Sequence, residues 1–153
     1  MDPRSWKRVL VPTDFSDPSS EAMTTAMAFA RLSGATLDLV HVAVEATYAL
    51  PPPIDIASVP IDMRKVMDRV ADGLAAEEKR VRADGFACET AILVGRPDAE
   101  IVARATVTHA DLIVMGTHGR SGLAHALLGS VAERVVQHSP CPVLIVPQRK
   151  PAS

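Results

Sequence analysis

Short apolar runs alternate along this chain with segments in which hydrophobic residues recur at helical spacing. Five runs rich in Val, Leu and Ile have the length of buried strands, and four stretches between them show an apolar stripe about every third or fourth residue. The predicted strands are Lys7–Pro12, Thr36–Ala43, Phe86–Val94, Asp111–Met115 and Pro142–Pro147. The predicted helices begin near Asp17, Ile61, Ala99 and Ser130 and end near Gly34, Gly85, Thr108 and His138.

This alternation of strands and helices predicts a doubly wound α/β fold, with one parallel sheet covered by helices on both faces. Because crossovers are right-handed, the favoured strand order is 3-2-1-4-5. Its switch point lies between the first and fourth strands, at whose carboxyl ends ligands bind in such sheets. We expect a single domain over residues 1–153, with a proline-rich loop at 45–60 and a frayed tail at 148–153.

Composition and charge narrow the classes of protein that this chain could belong to. Its 153 residues are 48% hydrophobic, which is enough for a core without disulfides. The net charge of −2 gives no attraction to nucleic acid or to an anionic membrane. No apolar run reaches membrane-spanning length, and Cys88 and Cys141 lack CxxC spacing. We therefore expect a cytoplasmic protein with reduced thiols.

The candidate chemistry centres on the glycines that follow the fourth strand. Gly116 and Gly119 are separated by two residues, and Gly129-Ser130 follows after nine more, at the start of the fourth helix. Glycines let backbone N–H groups approach a phosphate closely, and a helix N-terminus adds a partial positive charge. No lysine follows these glycines, so the motif is not a P-loop. The pattern predicts a nucleotide-phosphate site, with tight-turn geometry alone as the alternative.

Further motifs accompany the glycine spacing along the chain: Val-Pro-Thr-Asp-Phe-Ser at 11–16, His41-Val42, Met115–Gly122 and Pro140–Val146. This combination covers nearly the whole chain and gives it a resemblance to the universal stress protein family, in particular to its ATP-binding branch. It implies an ATP-binding regulatory module of the stress response, with Mg²⁺ or Mn²⁺ accompanying the phosphates. It also implies a homodimer formed through the Val143–Val146 strand.

The same resemblance implies which residues contact the nucleotide. Four residues would hold the ribose and phosphates, Asp14 would lie near the ribose or the phosphate-bound ion, and Val42 would contact the adenine through its backbone. The implied binding residues are Pro12, Thr13, Asp14, Val42, Met115, Gly116, His118, Gly119, Arg120, Gly129, Ser130 and Val131. The four residues for ribose and phosphates are Gly116, Gly119, Gly129 and Ser130.

Several of these residues have a structural interpretation as well. Ser130 and Glu133 have the spacing of a capping box, in which the serine caps the fourth helix. Asp14 could form an Asx turn at the end of the first strand. His41 is interpreted as a structural imidazole, and Arg120 either contacts phosphate or faces solvent.

No catalytic residue and no dedicated metal site are predicted. Because phosphoryl transfer needs positioned positive charge, and Arg120 is the obvious candidate cation in the loop, turnover is expected to be slow or absent. A slow ATPase and an interaction protein that binds AMP or cyclic AMP remain the alternatives to the ATP-dependent module.

Overall fold

The structure, a computed structural model, describes residues 2–44, 63–117 and 128–149. Its strands are β1 (Arg8–Pro12), β2 (Thr36–Ala43), β3 (Cys88–Val94), β4 (Leu112–Gly116) and β5 (Val143–Val146). Its α-helices are α1 (Asp17–Ser33), α2 (Met63–Ala83), α3 (Pro97–Val107) and α4 (Ser130–His138), and a short 3₁₀ turn at Pro3–Ser5 precedes β1. The predicted proline-rich loop, His118, Gly119, Arg120 and the end of the tail from residue 150 lie outside the described residues.

The five strands form one parallel sheet in the order β3-β2-β1-β4-β5, as the sequence predicted. Strand β1 lies at its centre, where Val9, Leu10 and Val11 are completely buried. Such continuous apolar runs are typical of strands covered on both faces. Since β1 pairs with β2 on one side and β4 on the other, the carboxyl ends of β1 and β4 form the predicted switch point.

Two apolar cores lie on the two faces of the sheet. Because successive strand residues point to opposite faces, Val9 and Val11 contribute to one core and Leu10 to the other. Helices α1 and α2 cover the first face, and α3 and α4 cover the second. The prediction of helices on both faces is therefore confirmed, and none of the described helices is long and apolar enough to cross a membrane.

Helix α1 begins at Asp17, as the sequence predicted, and its N-cap is the residue before it. Ser16, not Asp17, is the N-cap: it has extended backbone, and its hydroxyl accepts a long hydrogen bond (3.4 Å) from the N–H group of Ser19. Asp17 is already the first helical residue, where its charge suits the helix dipole. The predicted stop at Gly34 is confirmed, because this residue caps α1 in the left-handed region at φ 72°.

A buried ion pair links β2 to α3. The Asp38 side chain is fully buried, and its two carboxylate oxygens accept hydrogen bonds from Nε and Nη2 of Arg104, each at 2.9 Å. Nη1 of Arg8 lies 3.6 Å from the same carboxylate and 2.7 Å from Glu89. The pair therefore holds β2 against α3, which covers the second face of the sheet.

Candidate functional site

The loop after β1 is held by hydrogen bonds within itself and to β2. The N–H group of Thr13 donates to the Val40 carbonyl at 2.8 Å, so the β1–β2 ladder extends one residue beyond β1. The Thr13 hydroxyl accepts from the Phe15 N–H group at 3.0 Å and donates to the Ser19 hydroxyl at 3.1 Å. Sequence reasoning did not identify Ser16 and Ser19 as part of this polar cluster, although the hydroxyl-rich run from Thr13 to Ser20 was a signal for it.

Asp14 forms an Asx turn, which is the structural role that the sequence offers as the alternative to nucleotide contact. One of its oxygens, Oδ1, accepts from the Ser16 N–H group at 3.0 Å and also from the Ser16 hydroxyl. This turn places Ser16 in the extended conformation that caps α1. A carboxylate has acceptor positions on both oxygens, so an Asx turn and a contact with ribose are compatible.

Gly116 ends β4 where that strand approaches the first turn of α1. A Cβ atom at this position would lie 2.8 Å from Cβ of Pro18 and 3.0 Å from its carbonyl carbon and oxygen. Real Cβ atoms essentially never approach another atom to less than 3.0 Å, so a larger residue here would have to displace Pro18, whatever binds nearby. The contact brings the end of β4 against the first turn of α1, directly after the loop that follows β1, and it gives a packing reason for glycine at position 116.

The N-terminus of α4 is tied to the end of β4. Gly129 is its N-cap, and the Gly129 N–H group donates to the Thr117 carbonyl at 2.8 Å, while the Thr117 N–H group donates to Val146 at 3.3 Å. The predicted capping box is wrong, because Ser130 is the first helical residue and no side chain caps this helix. Glycine takes the extended cap conformation one residue earlier, and the first helical bond then runs from Glu133 N–H to Gly129.

The first turn of α4 therefore points toward the carboxyl edge of the sheet. In any α-helix the N–H groups of the first turn have no acceptor within the helix. In α4 these groups belong to Ser130, Val131 and Ala132. The Ser130 side chain is exposed, whereas Val131 packs partly against the core under α3 and α4. Such a terminus favours an anion, because unpaired N–H groups and the helix dipole act together.

The backbone of Val42 faces the side on which β1 has already ended. In a parallel ladder, alternate residues direct their backbone groups to opposite neighbours. Thr36 N–H bonds to Lys7 on the β1 side, whereas Leu37 N–H bonds to Ala87 on the β3 side. By this alternation Val42 faces the β1 side, two residues beyond Val40, whose β1 partner is Pro12, the last residue of that strand. Its backbone groups are thus oriented past the end of β1.

His41 has the structural role that was expected. Its Nδ1 lies 2.8 Å from the Thr13 carbonyl oxygen, and its ring stacks on Phe15 with 5.1 Å between ring centroids. Phe15 has a left-handed backbone at φ 62° and was not identified from the sequence. Met115 lies buried beside β5 at the end of β4, next to Gly116. Of the twelve predicted binding residues, nine are described, and all nine lie at or next to the carboxyl edge of the sheet.

The two cysteines are free and belong to the amino end of the sheet, away from this edge. Burial raises the pKa of the Cys88 thiol to about 11, and burial also raises the pKa of Cys141. A thiol nucleophile needs a lowered pKa, so neither cysteine is activated. Within residues 2–44, 63–117 and 128–149, no cluster of three or more His, Cys, Asp or Glu side chains could hold a metal ion.

Comparison with known proteins gives a consistent result. The model of the universal stress protein family matches residues 5–147. The chain is 37% identical to universal stress protein MJ0531 of Methanocaldococcus jannaschii, over 95% of this chain and 84% of that protein. The solved structure of MJ0577, from the same organism, superposes with a TM-score of 0.83 at 32% identity, covering 97% of this chain and 99% of the other. A universal stress protein solved in complex with cAMP superposes with a TM-score of 0.69 at 29% identity, covering 95% and 99% of the two chains.

Proposed function

Since the chain belongs to the universal stress protein family, we propose that it binds an adenine nucleotide at the carboxyl edge of the sheet, between β1 and β4. Occupancy of this site would make the protein a nucleotide-dependent regulatory module of the stress response. The observation that carries the proposal is the convergence of three backbone features at one edge: the Thr13–Ser16 loop, the outward-facing backbone of Val42 and the first turn of α4. The relative solved with cAMP, itself an adenine nucleotide, supports the choice of ligand.

Each part of the nucleotide has a matching group in this arrangement. The backbone of Val42 would bond the adenine, Asp14 would accept from ribose hydroxyls, and the N–H groups of Ser130 and Val131 would donate to phosphate. A hydrogen bond to a charged group contributes about 1.5–3 kcal/mol net. Four such bonds at the upper value give about −12 kcal/mol, and an association cost of about 4 kcal/mol leaves about −8 kcal/mol, which corresponds to micromolar affinity. His118, Gly119 and Arg120 would complete the phosphate contacts.

We further propose that the nucleotide is ATP, with Mg²⁺ or Mn²⁺ beside its phosphates. Hard divalent cations prefer carboxylate and hydroxyl oxygens, and the loop after β1 offers both in Asp14, Thr13 and Ser16. The bound ion would neutralise phosphate charge beside the Asp14 carboxylate, which phosphate alone would repel.

An Asp14→Asn variant distinguishes the two roles of this carboxylate. The amide oxygen of asparagine still accepts from the Ser16 N–H group, so the Asx turn is retained while the charge is lost. If Asp14 acts through the ion, the variant weakens ATP binding only when Mg²⁺ or Mn²⁺ is present. If Asp14 contacts only ribose, the affinities for ATP and AMP fall equally, with or without the ion.

The binding experiment is titration calorimetry with ATP, AMP and cAMP, each with and without Mg²⁺, together with thermal denaturation. Ligand at 100 times Kd should stabilise the folded protein by about 2.7 kcal/mol. A Gly119→Val variant should lose this stabilisation while the ligand-free protein still folds. Gly116→Ala is a poor probe, since its Cβ would disturb the contact with Pro18 before any ligand is added. Absence of heat with every adenine compound would refute the proposal.

A slow ATPase is the alternative, and turnover distinguishes the two. Hydrolysis needs an oriented water and positive charge at the transferred phosphoryl group. The glycine loop contains Arg120 but no lysine. We therefore expect bound ATP without rapid multiple turnover, and a phosphate-release rate near 1 s⁻¹ would instead be typical of an enzyme.

We also propose a homodimer formed through β5. This strand lies at the edge of the sheet, and its residues Val143–Val146 are all apolar but only partly buried. An apolar edge strand is prone to pair with another chain unless it is covered, and pairing across a two-fold axis would cover it. Light scattering at micromolar concentration should give the mass of a dimer, and a monomer mass would contradict this proposal. A dimer that binds no nucleotide would favour an interaction protein.

A further inference from the structure

Phe15 is a strained residue in the middle of the loop that we assign to nucleotide binding. Its φ of 62° lies in the left-handed region, which is costly for a residue with a bulky side chain. Strain of this kind persists only where the surroundings determine the conformation, and it concentrates at functional sites. Two contacts determine it here. One is the stack of the ring on His41, and the other is with α2.

The contact with α2 is made at Gly73, in the interior of that helix. A Cβ atom at Gly73 would lie 2.9 Å from Cε1 and 3.0 Å from Cζ of Phe15, so alanine at this position would push the ring away. Glycine is unfavourable inside a helix compared with alanine. The glycine therefore weakens the helix and leaves room for the ring of Phe15.

The ring of Phe15 is linked to the backbone that would contact the nucleotide. His41, on which the ring stacks, bonds the Thr13 carbonyl at 2.8 Å, and the Phe15 N–H group bonds the Thr13 hydroxyl at 3.0 Å. Asp14 lies between these two anchored residues. A displacement of the ring must therefore pass to Thr13 and Asp14, because cores and packed loops do not deform without moving their neighbours.

We propose that Phe15, seated on Gly73, is the positioning residue of the nucleotide site and couples that site to helix α2. This inference rests on the proposed function. It goes beyond the proposed function, because it makes the affinity for nucleotide depend on Gly73, a residue of α2 that would not contact the nucleotide. By linkage, nucleotide binding favours the arrangement in which the Phe15 ring packs on Gly73 of α2, and it does so by the same factor.

The experiment is a double-mutant cycle of Gly73→Ala and Phe15→Leu, with ATP and AMP affinity measured by calorimetry and stability by thermal denaturation of the ligand-free proteins. Gly73→Ala should leave the melting temperature unchanged or higher, because alanine favours the helix, yet weaken nucleotide binding about tenfold or more. In the Phe15→Leu background the same substitution should change affinity by less than about twofold, since the ring through which it acts is absent. Asp72→Ala, at an exposed neighbouring position of α2, is the control and should leave affinity unchanged.

The outcomes separate this inference from the proposed function. If the unmodified protein binds no adenine nucleotide, the proposed function fails and the positioning role fails with it. If it binds and Gly73→Ala binds equally well, only the inference is overturned. Additive losses in the cycle, or a fall in stability that parallels the loss of affinity, would also overturn it, because both are expected of a merely structural contact. A loss of affinity with unchanged or raised stability, absent in the Phe15→Leu background, supports it.

Discussion

The pairing of Asp38 with Arg104 gives a stability prediction whose size can be worked from the structure. The Asp38 carboxylate has no exposed surface, and Arg104 supplies two of its hydrogen bonds at 2.9 Å each. Arg104→Met retains an apolar side chain of similar length and removes the guanidinium. Among the residues that the structure describes, Arg8 is then the one cation left near the carboxylate, with its Nη1 3.6 Å away.

Breaking a buried ion pair from one side typically costs about 3–5 kcal/mol, because the remaining charge is uncompensated. Since Arg8 still lies within reach of Asp38, we expect the low end of this range, about 3 kcal/mol. For a chain of this size about 1 kcal/mol lowers the melting temperature by roughly 2–4 °C. Arg104→Met should therefore melt roughly 6–12 °C below the unmodified protein.

The assay is chemical and thermal denaturation monitored by circular dichroism, with two comparison variants. Arg80→Met makes the same chemical change in the exposed pair with Glu77 and should cost less than about 0.5 kcal/mol. Asp38→Val combined with Arg104→Met removes both charges of the pair, the fully buried carboxylate and the partly buried guanidinium. Replacing a buried pair with apolar residues is often close to neutral, so the double variant should be more stable than Arg104→Met alone.

Two results would refute this reasoning. A cost for Arg104→Met as small as that of Arg80→Met would mean that the buried carboxylate does not need its partner. A double variant that is less stable than Arg104→Met alone would mean that the cost arises from lost packing and not from an unpaired charge.

Three further predictions follow from the described contacts. Gly116→Ala should lower the free energy of unfolding by about 1–3 kcal/mol in urea denaturation, because its Cβ overlaps Pro18; an unchanged midpoint would contradict the close approach. Ser16→Ala should cost about 1 kcal/mol in the same assay through loss of the α1 cap, whereas Ser20→Ala, inside the helix, should cost less. The pKa of Cys88 is raised by burial to about 11 and the residue is 1% exposed, so alkylation of the folded protein near pH 8 should be at least about a hundredfold slower than for an exposed thiol with the ordinary pKa. Mass spectrometry of the labelled peptide measures this rate, and rapid labelling at pH 8 would contradict the prediction.

The sequence by itself was sufficient for the fold, and its motifs assign the candidate site to one edge of the sheet. Apolar runs of strand length alternating with helical stripes are local signals, and right-handed crossovers restrict the order of the strands. The glycines after β4 and the Thr-Asp-Phe-Ser run after β1 follow strands that the topology makes neighbours. Their convergence at one edge could therefore be predicted without knowing any distance.

The starts of α1 and α4 agree with the prediction, but their cap residues could not be chosen from the sequence, because neighbouring residues compete to be the cap. Ser16 and Asp17 are both good N-caps, and so are Gly129 and Ser130. The choice was made by contacts outside the helices: the Asp14 carboxylate fixes Ser16, and the Thr117 carbonyl fixes Gly129. Local sequence does not contain this information, because the choice of cap depends on where the preceding strand ends in the folded protein.

Contacts between residues far apart in sequence were decided only by the tertiary structure. Nothing in the sequence pairs Asp38 with Arg104, 66 residues away, or seats Phe15 on Gly73. Gly116 carried a phosphate-binding interpretation in the sequence, but its close approach to Pro18 became visible only when α1 and β4 were packed together. The physical reason is the same in each case. Secondary structure follows from patterns within one segment, whereas close packing and burial of charge depend on which segments the fold brings into contact.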